Sequence, residues 1–401
     1  MTIKHITKFK YSFFALVIFL VCEQKSFALN GSYKTYFSES QNPNESSLHN
    51  SLTNTFRPKF TWTPNESYTF YSAYALSANL QKKSLLNPVP EPKRDYRVVD
   101  LDSELYTSSH SSSSSFLVNQ NLDRLYMSYS SSGFNLNIGR APIAFGSAKI
   151  VNPSDVLTPI SYQTLDKEER VGVDTIRMNY SLGPLSLIDA GYVVGNKFKS
   201  SKSAAFLRLK SNFFETDIST MLMNFQENFL IGVDLARSVG NASAWFESAY
   251  VIPKYFNDND NLHLKNYFRA TLGMDYKLTS SIYSYVEYHY NGAGTHDPKK
   301  YIFQQTNIAY SEGGVTLQGV HYLIPGMTYE ISSLWKVTGQ CLFNANDLSI
   351  FNNISVEHNF AQDVFIDLGA YIPFGAKTRL TQNSEFGIYP KIIYSSLRFY
   401  F

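Results

Sequence analysis

Cysteine is nearly absent: Cys22 and Cys341 are the two in 401 residues, too few for a disulfide framework or a cysteine-based metal site. Charge is sparse at 17%, and 35 basic residues balance 33 acidic ones, so no concentrated basic face for nucleic acid is indicated. No apolar run reaches the roughly 18 residues that a membrane-crossing helix needs, and no heptad repeat persists. The eight histidines (5, 49, 110, 263, 289, 296, 321 and 358) show no His-x-x-x-His or Cys/His spacing. Gly-rich phosphate loops are missing as well. Metal catalysis has no support, no cofactor is implied, and the chain does not read as an enzyme. For a barrel lipid hydrolase His289 is the one candidate base, but no motif surrounds it.

Aromatic residues are plentiful. The 29 Tyr and 30 Phe against 3 Trp are too many for a chain that stays unfolded. Residues 1–28 read as a secretory signal peptide: Lys4, Lys8 and Lys10 precede the apolar stretch Tyr11 to Val21, and Ser26-Phe27-Ala28 offers small residues for cleavage. Phe19-Leu20-Val21 are too bulky for Cys22 to serve as a lipoprotein acceptor. Four basic residues and one acidic residue leave with that segment, so residues 29–401 carry 31 against 32, a net charge of −1.

From Asn30 onward, apolar and polar residues alternate in short runs with almost no helical period. Leu264, Phe268, Ala270, Leu272, Met274 and Tyr276 share one face, whereas His263, Lys265, Arg269, Thr271 and Asp275 share the other. Leu207 and Leu209 against Arg208 and Lys210 repeat the pattern, as do Phe229, Ile231, Val233 and Leu235 against Gly232 and Asp234. A soluble sandwich alternates in the same way, so the links must decide. Tight links near 63–65, 130–133, 181–184, 213–216, 238–241, 277–280, 332–334 and 358–362 alternate strictly with longer ones at 39–50, 79–119, 141–168, 196–202, 224–228, 253–262, 291–317, 344–347 and 374–388. That asymmetry is expected of an outer-membrane barrel with short periplasmic turns, longer outer loops and both termini in the periplasm. The expectation is an all-β fold, a single antiparallel transmembrane β-barrel over 29–401 of about 18 strands. Sixteen is the competing count, because 301–320 is hard to segment. The serine run Ser108 to Ser115 reads as solvated loop.

In the last strand Ile393, Ser395, Leu397, Phe399 and Phe401 form an outward row, while Tyr394, Ser396 and Arg398 face inward. This resembles the closing-strand signal of Gram-negative outer-membrane proteins, whose final Phe is read by the barrel-insertion machinery. The resemblance implies that machinery and outer-membrane lipid as partners. Closure into a barrel also removes the aggregation-prone edge that such a strand would otherwise expose.

A second segment runs from Gly139-Arg140-Ala141-Pro142-Ile143-Ala144-Phe145-Gly146 through Asn152-Pro153-Ser154-Asp155 to Asp166-Lys167-Glu168-Glu169-Arg170-Val171-Gly172-Val173-Asp174. It resembles a stretch shared by a broad group of little-characterised porin-like outer-membrane barrels. Their pattern usually has Gln at Ala141 and Trp at Phe145.

Inward positions of the expected strands include Arg57, Lys59, Arg124, Arg177, Arg208, Lys210, Lys265 and Arg269, read here as pore-lining. Inward acids include Asp189, Asp217, Asp234, Glu247, Asp275, Glu287 and Glu357. A basic residue facing hydrocarbon at the midplane costs roughly 2–4 kcal/mol, whereas one facing a wet lumen costs little. A wet channel explains so many inward charges, and mutual pairing that fills a narrow barrel is the other reading. The link 141–168 follows the fifth expected strand, the position from which a loop folds inward in general porins. Pro142, Pro153 and Pro159 stiffen it, and Lys149, Asp155, Asp166, Lys167, Glu168 and Glu169 are the candidate constriction residues, its acids set across a gap from the basic wall. A disordered outer loop is the competing view, since long links are often mobile. The function this supports is passive diffusion of small hydrophilic solutes through the outer membrane. The alternative is a structural or adhesive barrel that binds partners through its outer loops, and a homo-oligomer stays open.

Overall fold

The computed structural model describes residues 26–82, 94–101, 104–111, 114–256, 264–377 and 383–401. Residues 1–25, most of the expected signal peptide, lie outside the described residues. The first strand already begins at Phe27, two residues ahead of the expected cleavage point.

Nineteen strands occur among the described residues. They are β1 (Phe27–Gln41), β2 (Leu48–Asn65), β3 (Tyr68–Lys82), β4 (Glu104–Ser111), β5 (Ser114–Ser131), β6 (Phe134–Ala141), β7 (Val173–Gly183), β8 (Ser186–Val193), β9 (Ala204–Phe213) and β10 (Thr216–Phe225). They continue with β11 (Asn228–Val239), β12 (Ala242–Ile252), β13 (Tyr267–Lys277), β14 (Ile282–Asn291), β15 (His321–Ser332), β16 (Trp335–Asn344), β17 (Ile350–Ala361), β18 (Val364–Phe374) and β19 (Lys391–Tyr400).

Every pairing is antiparallel between neighbours, and β1 pairs with β19 from Ser32↔Tyr400 to Gln41↔Lys391, which closes the sheet. β4 is no part of the wall: the upper half of β5 pairs with β3 on one side and β4 on the other, while its lower half pairs with β6. The remaining eighteen strands form the closed barrel, the count expected from the sequence. The stretch 301–320, which obscured that count, belongs to the β14–β15 link, where Tyr301–Gln304 and Ile308–Ser311 are short helical turns.

Alternation turns one face of each strand outward. Leu207, Leu209, Leu222, Ile231, Phe268, Leu272, Met274, Leu323, Leu368, Ile393 and Leu397 are all exposed. So large an apolar surface is untenable in water and suited to a bilayer, where a closed barrel also satisfies its backbone hydrogen bonds internally. Among the described residues, no helix is long and apolar enough to cross a membrane.

One end of the barrel carries tight turns, the start of β1 and the end of β19, and the other carries most of the long links. Two expectations are corrected here. The 224–228 link is only the two-residue turn Gln226–Glu227, with φ of 47° and 70°. Left-handed backbone at both positions matches the strand twist and lets so short a link close, and Asn228 Nδ2 donates to Phe225 O at 3.0 Å. The serine run does not form a loop: most of it lies in the β4–β5 hairpin, where cross-strand backbone pairing replaces solvation.

Candidate functional site: a collar inside the barrel

Residues 142–172, between β6 and β7, run around the inside of the wall and form a collar. Arg140 and Asp174 fasten its two roots together, with Arg140 Nε donating to Asp174 Oδ1 at 2.7 Å. Pro142 starts the segment, and the missing N–H and fixed φ of proline suit a chain leaving a sheet. Phe145 then sets its ring edge-on to Phe206 of β9 at 5.0 Å, in an apolar cluster with Ile143, Val156, Met221, Met223 and Leu230. Burying each such side chain contributes about 1.5–3 kcal/mol. Further round, Tyr162 packs against Phe351 of β17 and Phe386 of the β18–β19 link.

Two wall acids hold the collar by its backbone. Glu247 of β12, fully buried, accepts from Ala148 N at 3.1 Å, Asn152 Nδ2 at 3.1 Å, Ser154 N at 2.9 Å and Ser154 Oγ at 2.6 Å. Glu287 of β14, also buried, accepts from Lys149 N at 2.6 Å, Ile150 N at 3.1 Å and the Trp245 indole at 2.9 Å. Gly146 stands over Glu247 with φ of 91°, and a Cβ there would collide with the carboxylate. The residues that carried the sequence resemblance are thus the collar's hinges and anchors.

On the opposite wall the collar presents acids to bases in direct contact, without the expected gap. Lys34 Nζ of β1 pairs with Asp166 at 2.9 Å and Glu168 at 2.6 Å, and Arg398 of β19 also reaches Glu168. Glu169 pairs with Arg57, and with Lys59 at 2.9 Å. Burial raises the Glu168 carboxyl, but hydrogen bonds from Lys34, Tyr400 and Arg398 outweigh it and hold the group at about 2. The Glu169 carboxyl is lowered as well: the pull of burial upward is overcome by Arg57 and Lys59. Opposite charges released from water close onto each other, because separation across a desolvated gap would leave both unpaired.

The basic wall is largely neutralised in place. Arg57 and Arg124 pair with buried Asp123, Arg124 at 2.7 Å. Asp189 of β8 lies between Arg177 at 2.8 Å and Arg208 at 2.7 Å. Lys210 is exposed near the tight-turn end, and Arg269 is buried beneath the collar, with Nη1 3.4 Å from Pro153 O. Lys265 is a correction: it is exposed on the link before β13, because the strand starts only at Tyr267. His289 is buried, its Nδ1 2.9 Å from Thr271 Oγ1.

Sequence reasoning missed Lys34, although the inward row Ser32, Lys34, Tyr36 and Ser38 could have revealed it. It also missed residues 94–101, which fold back onto the collar's exit. There Arg97, 1% exposed, donates to Gly172 O at 2.8 Å and to Asn121 Oδ1 at 2.7 Å. A link segment without alternation gives no signal for that placement.

Inside the collar lies a cavity of about 250 Å³, lined in part by Lys149, Asp155, Tyr162, Lys167, Arg170 and Arg269. Gly314 and Thr316 of the β14–β15 link complete its outer side.

A closed eighteen-stranded wall with an inward segment after its fifth strand decides the architecture. The fold is that of an outer-membrane porin. OccAB4 of Acinetobacter baumannii matches over 94% of this chain and 99% of its own, at 9% identity and a TM-score of 0.58. OprD of Pseudomonas aeruginosa matches over 94% and 93%, at 9% identity and 0.55. OccD3 of Pseudomonas aeruginosa matches over 95% and 92%, at 8% identity and 0.55. No protein-family model and no curated protein sequence matches the chain. The porin fold is therefore shared at a level of identity where individual residue roles do not transfer.

Proposed function

We propose that this porin-fold barrel resides in the outer membrane of a Gram-negative bacterium and passes small hydrophilic solutes by passive diffusion. Residues 1–28 direct export, and the strand ending at Phe401 engages the insertion machinery. The observation that carries this reading is the collar: a segment anchored to the wall by Glu247 and Glu287 on one side and by Lys34, Arg57 and Arg398 on the other. A lumen narrowed at one level by fixed charged groups sorts solutes by size and field. The interior needs no catalytic constellation for this, and the reading assigns none.

Liposome swelling with sugars of increasing size tests it. Swelling that falls off with solute size, together with stepwise conductance in planar bilayers, is the expected result. A folded, inserted protein with neither property would instead leave a structural or adhesive barrel acting through its outer links.

A further inference from the structure

The β14–β15 link, residues 292–320, leaves the wall at a pinched root. Thr295 N donates to Gln318 O at 3.0 Å and Asn291 Nδ2 to Gly319 O at 3.0 Å, and a Cβ on Gly294 would strike the Gly319 carbonyl. Beyond the root the link passes over the outer side of the collar. There Gly314 lies against Pro159 and Val156 and, with Thr316, covers the 250 Å³ cavity.

The two parts of this link are held differently. Toward the root, large side chains are buried: the Tyr301 hydroxyl accepts from Asn344 Nδ2 at 3.1 Å, and Leu317 joins the cluster of Phe351 and Phe386. Gln318 N also donates to Glu385 Oε1 at 2.9 Å. The stretch 309–315 instead rests on Ala309, Gly313, Gly314 and Val315, small residues that each bury little apolar area. In the middle of that stretch Glu312 accepts from Lys254 Nζ at 2.8 Å and from Asn228 Nδ2 at 2.9 Å, with Lys202 Nζ 3.9 Å away. These partners stand at the outer ends of β9, β11 and β12, away from the root between β14 and β15. Lys254 is itself fixed, since its N donates to Asn228 Oδ1 at 3.0 Å and its Nζ to Gln226 O at 3.0 Å.

We propose that residues 296–317 form a lid over the collar, hinged at the pinched root and latched by Glu312 to Lys254 and Asn228. Lys254 is the fixed keeper and Glu312 the moving part. With weak apolar contact along 309–315, the largely buried ion pair and its hydrogen bonds decide whether the lid stays down, because hydrogen bonds to charged groups are the stronger ones. Releasing the latch uncovers the cavity toward the outside. The lid deepens the channel reading and rests on it only for what enters once the lid lifts.

The test is the rate at which a membrane-impermeant maleimide, added to intact cells, labels Ser161→Cys in a Cys341→Ser background; Ser161 lines the cavity beneath the lid. Labelling should be slow in the latched barrel. Glu312→Gln should speed it about tenfold or more, as loss of one hydrogen-bonded charge pair implies. Lys254→Gln should do the same, so either variant carries the test if the other does not assemble, with heat-modifiable mobility reporting assembly. Reversing the pair, Glu312→Lys with Lys254→Glu, should return the rate toward the latched one, which a link merely loosened by substitution would not show. Rates unchanged in both single variants, or a reversed pair as fast as the single variants, overturn the lid while size-dependent swelling still stands. Faster labelling that reversal restores, in a barrel that fails to conduct, would uphold the lid and remove the channel.

Discussion

Replacing Glu247 with alanine should release the collar. The side chain is fully buried and accepts four hydrogen bonds from Ala148, Asn152 and Ser154 at 2.6–3.1 Å. Two of the donors are backbone N–H groups with no side chain to turn elsewhere. Each buried donor left unsatisfied costs about 1–3 kcal/mol, so the pair costs about 2–6 kcal/mol, with water entering the vacated space favouring the lower half. At about 3 kcal/mol the released population rises roughly a hundredfold, since about 1.4 kcal/mol is a factor of ten. Trypsin cutting after Lys149 reads this directly, because cleavage tracks the open population when reclosing is fast. The variant should be cut about a hundredfold faster at Lys149 while keeping heat-modifiable mobility, and its single-channel records should show intervals of larger conductance. Unchanged proteolysis with unchanged conductance would mean that the collar is held elsewhere, and the anchoring argument would fail.

Gly146→Ala should produce the same protease sensitivity without altering charge, since its φ of 91° and the nearby Glu247 carboxylate leave no room for a Cβ; a resistant variant would contradict this. Glu168 is lowered to about 2, so its contribution is fully present above its ordinary value near 4.5 and lost as pH falls through about 2. Pepsin should therefore cut the collar progressively faster as pH falls from about 4.5 to about 2, with Lys34→Gln raising the lower end of that window. Deleting Phe401 removes the two backbone hydrogen bonds with Gly31, at 2.8 and 3.1 Å, and the ring stacked on Phe56 at 5.9 Å. That costs about 1–3 kcal/mol at the closing seam and should lower the heat-modifiable fraction; an undiminished fraction would refute the role of the terminal ring. In a Cys341→Ser background, Ser111→Cys should label on intact cells and Gly183→Cys should not, and the reverse pattern would invert the topology.

The amino-acid order alone determined the wall. A side-chain period of two shows which residues face lipid, as in Leu207 and Leu209 against Arg208, and link lengths fix the alternation of ends. Both are local properties, so no partner strand is needed to read them. It also marked the 141–168 link as unusual through its prolines, charges and resemblance, although the segment continues to 172. What the tertiary structure decided is where non-local charges meet. Glu168 reaches Lys34 and Arg398, and Glu247 reaches Ala148 and Ser154, across separations that no periodicity encodes. Alternation places Arg269 inward, but only the packed collar buries it, with Nη1 3.4 Å from Pro153 O. Facing is set by each strand's own pleat, whereas pairing depends on barrel closure and on the path of an inserted segment, which exist only once the whole chain has folded.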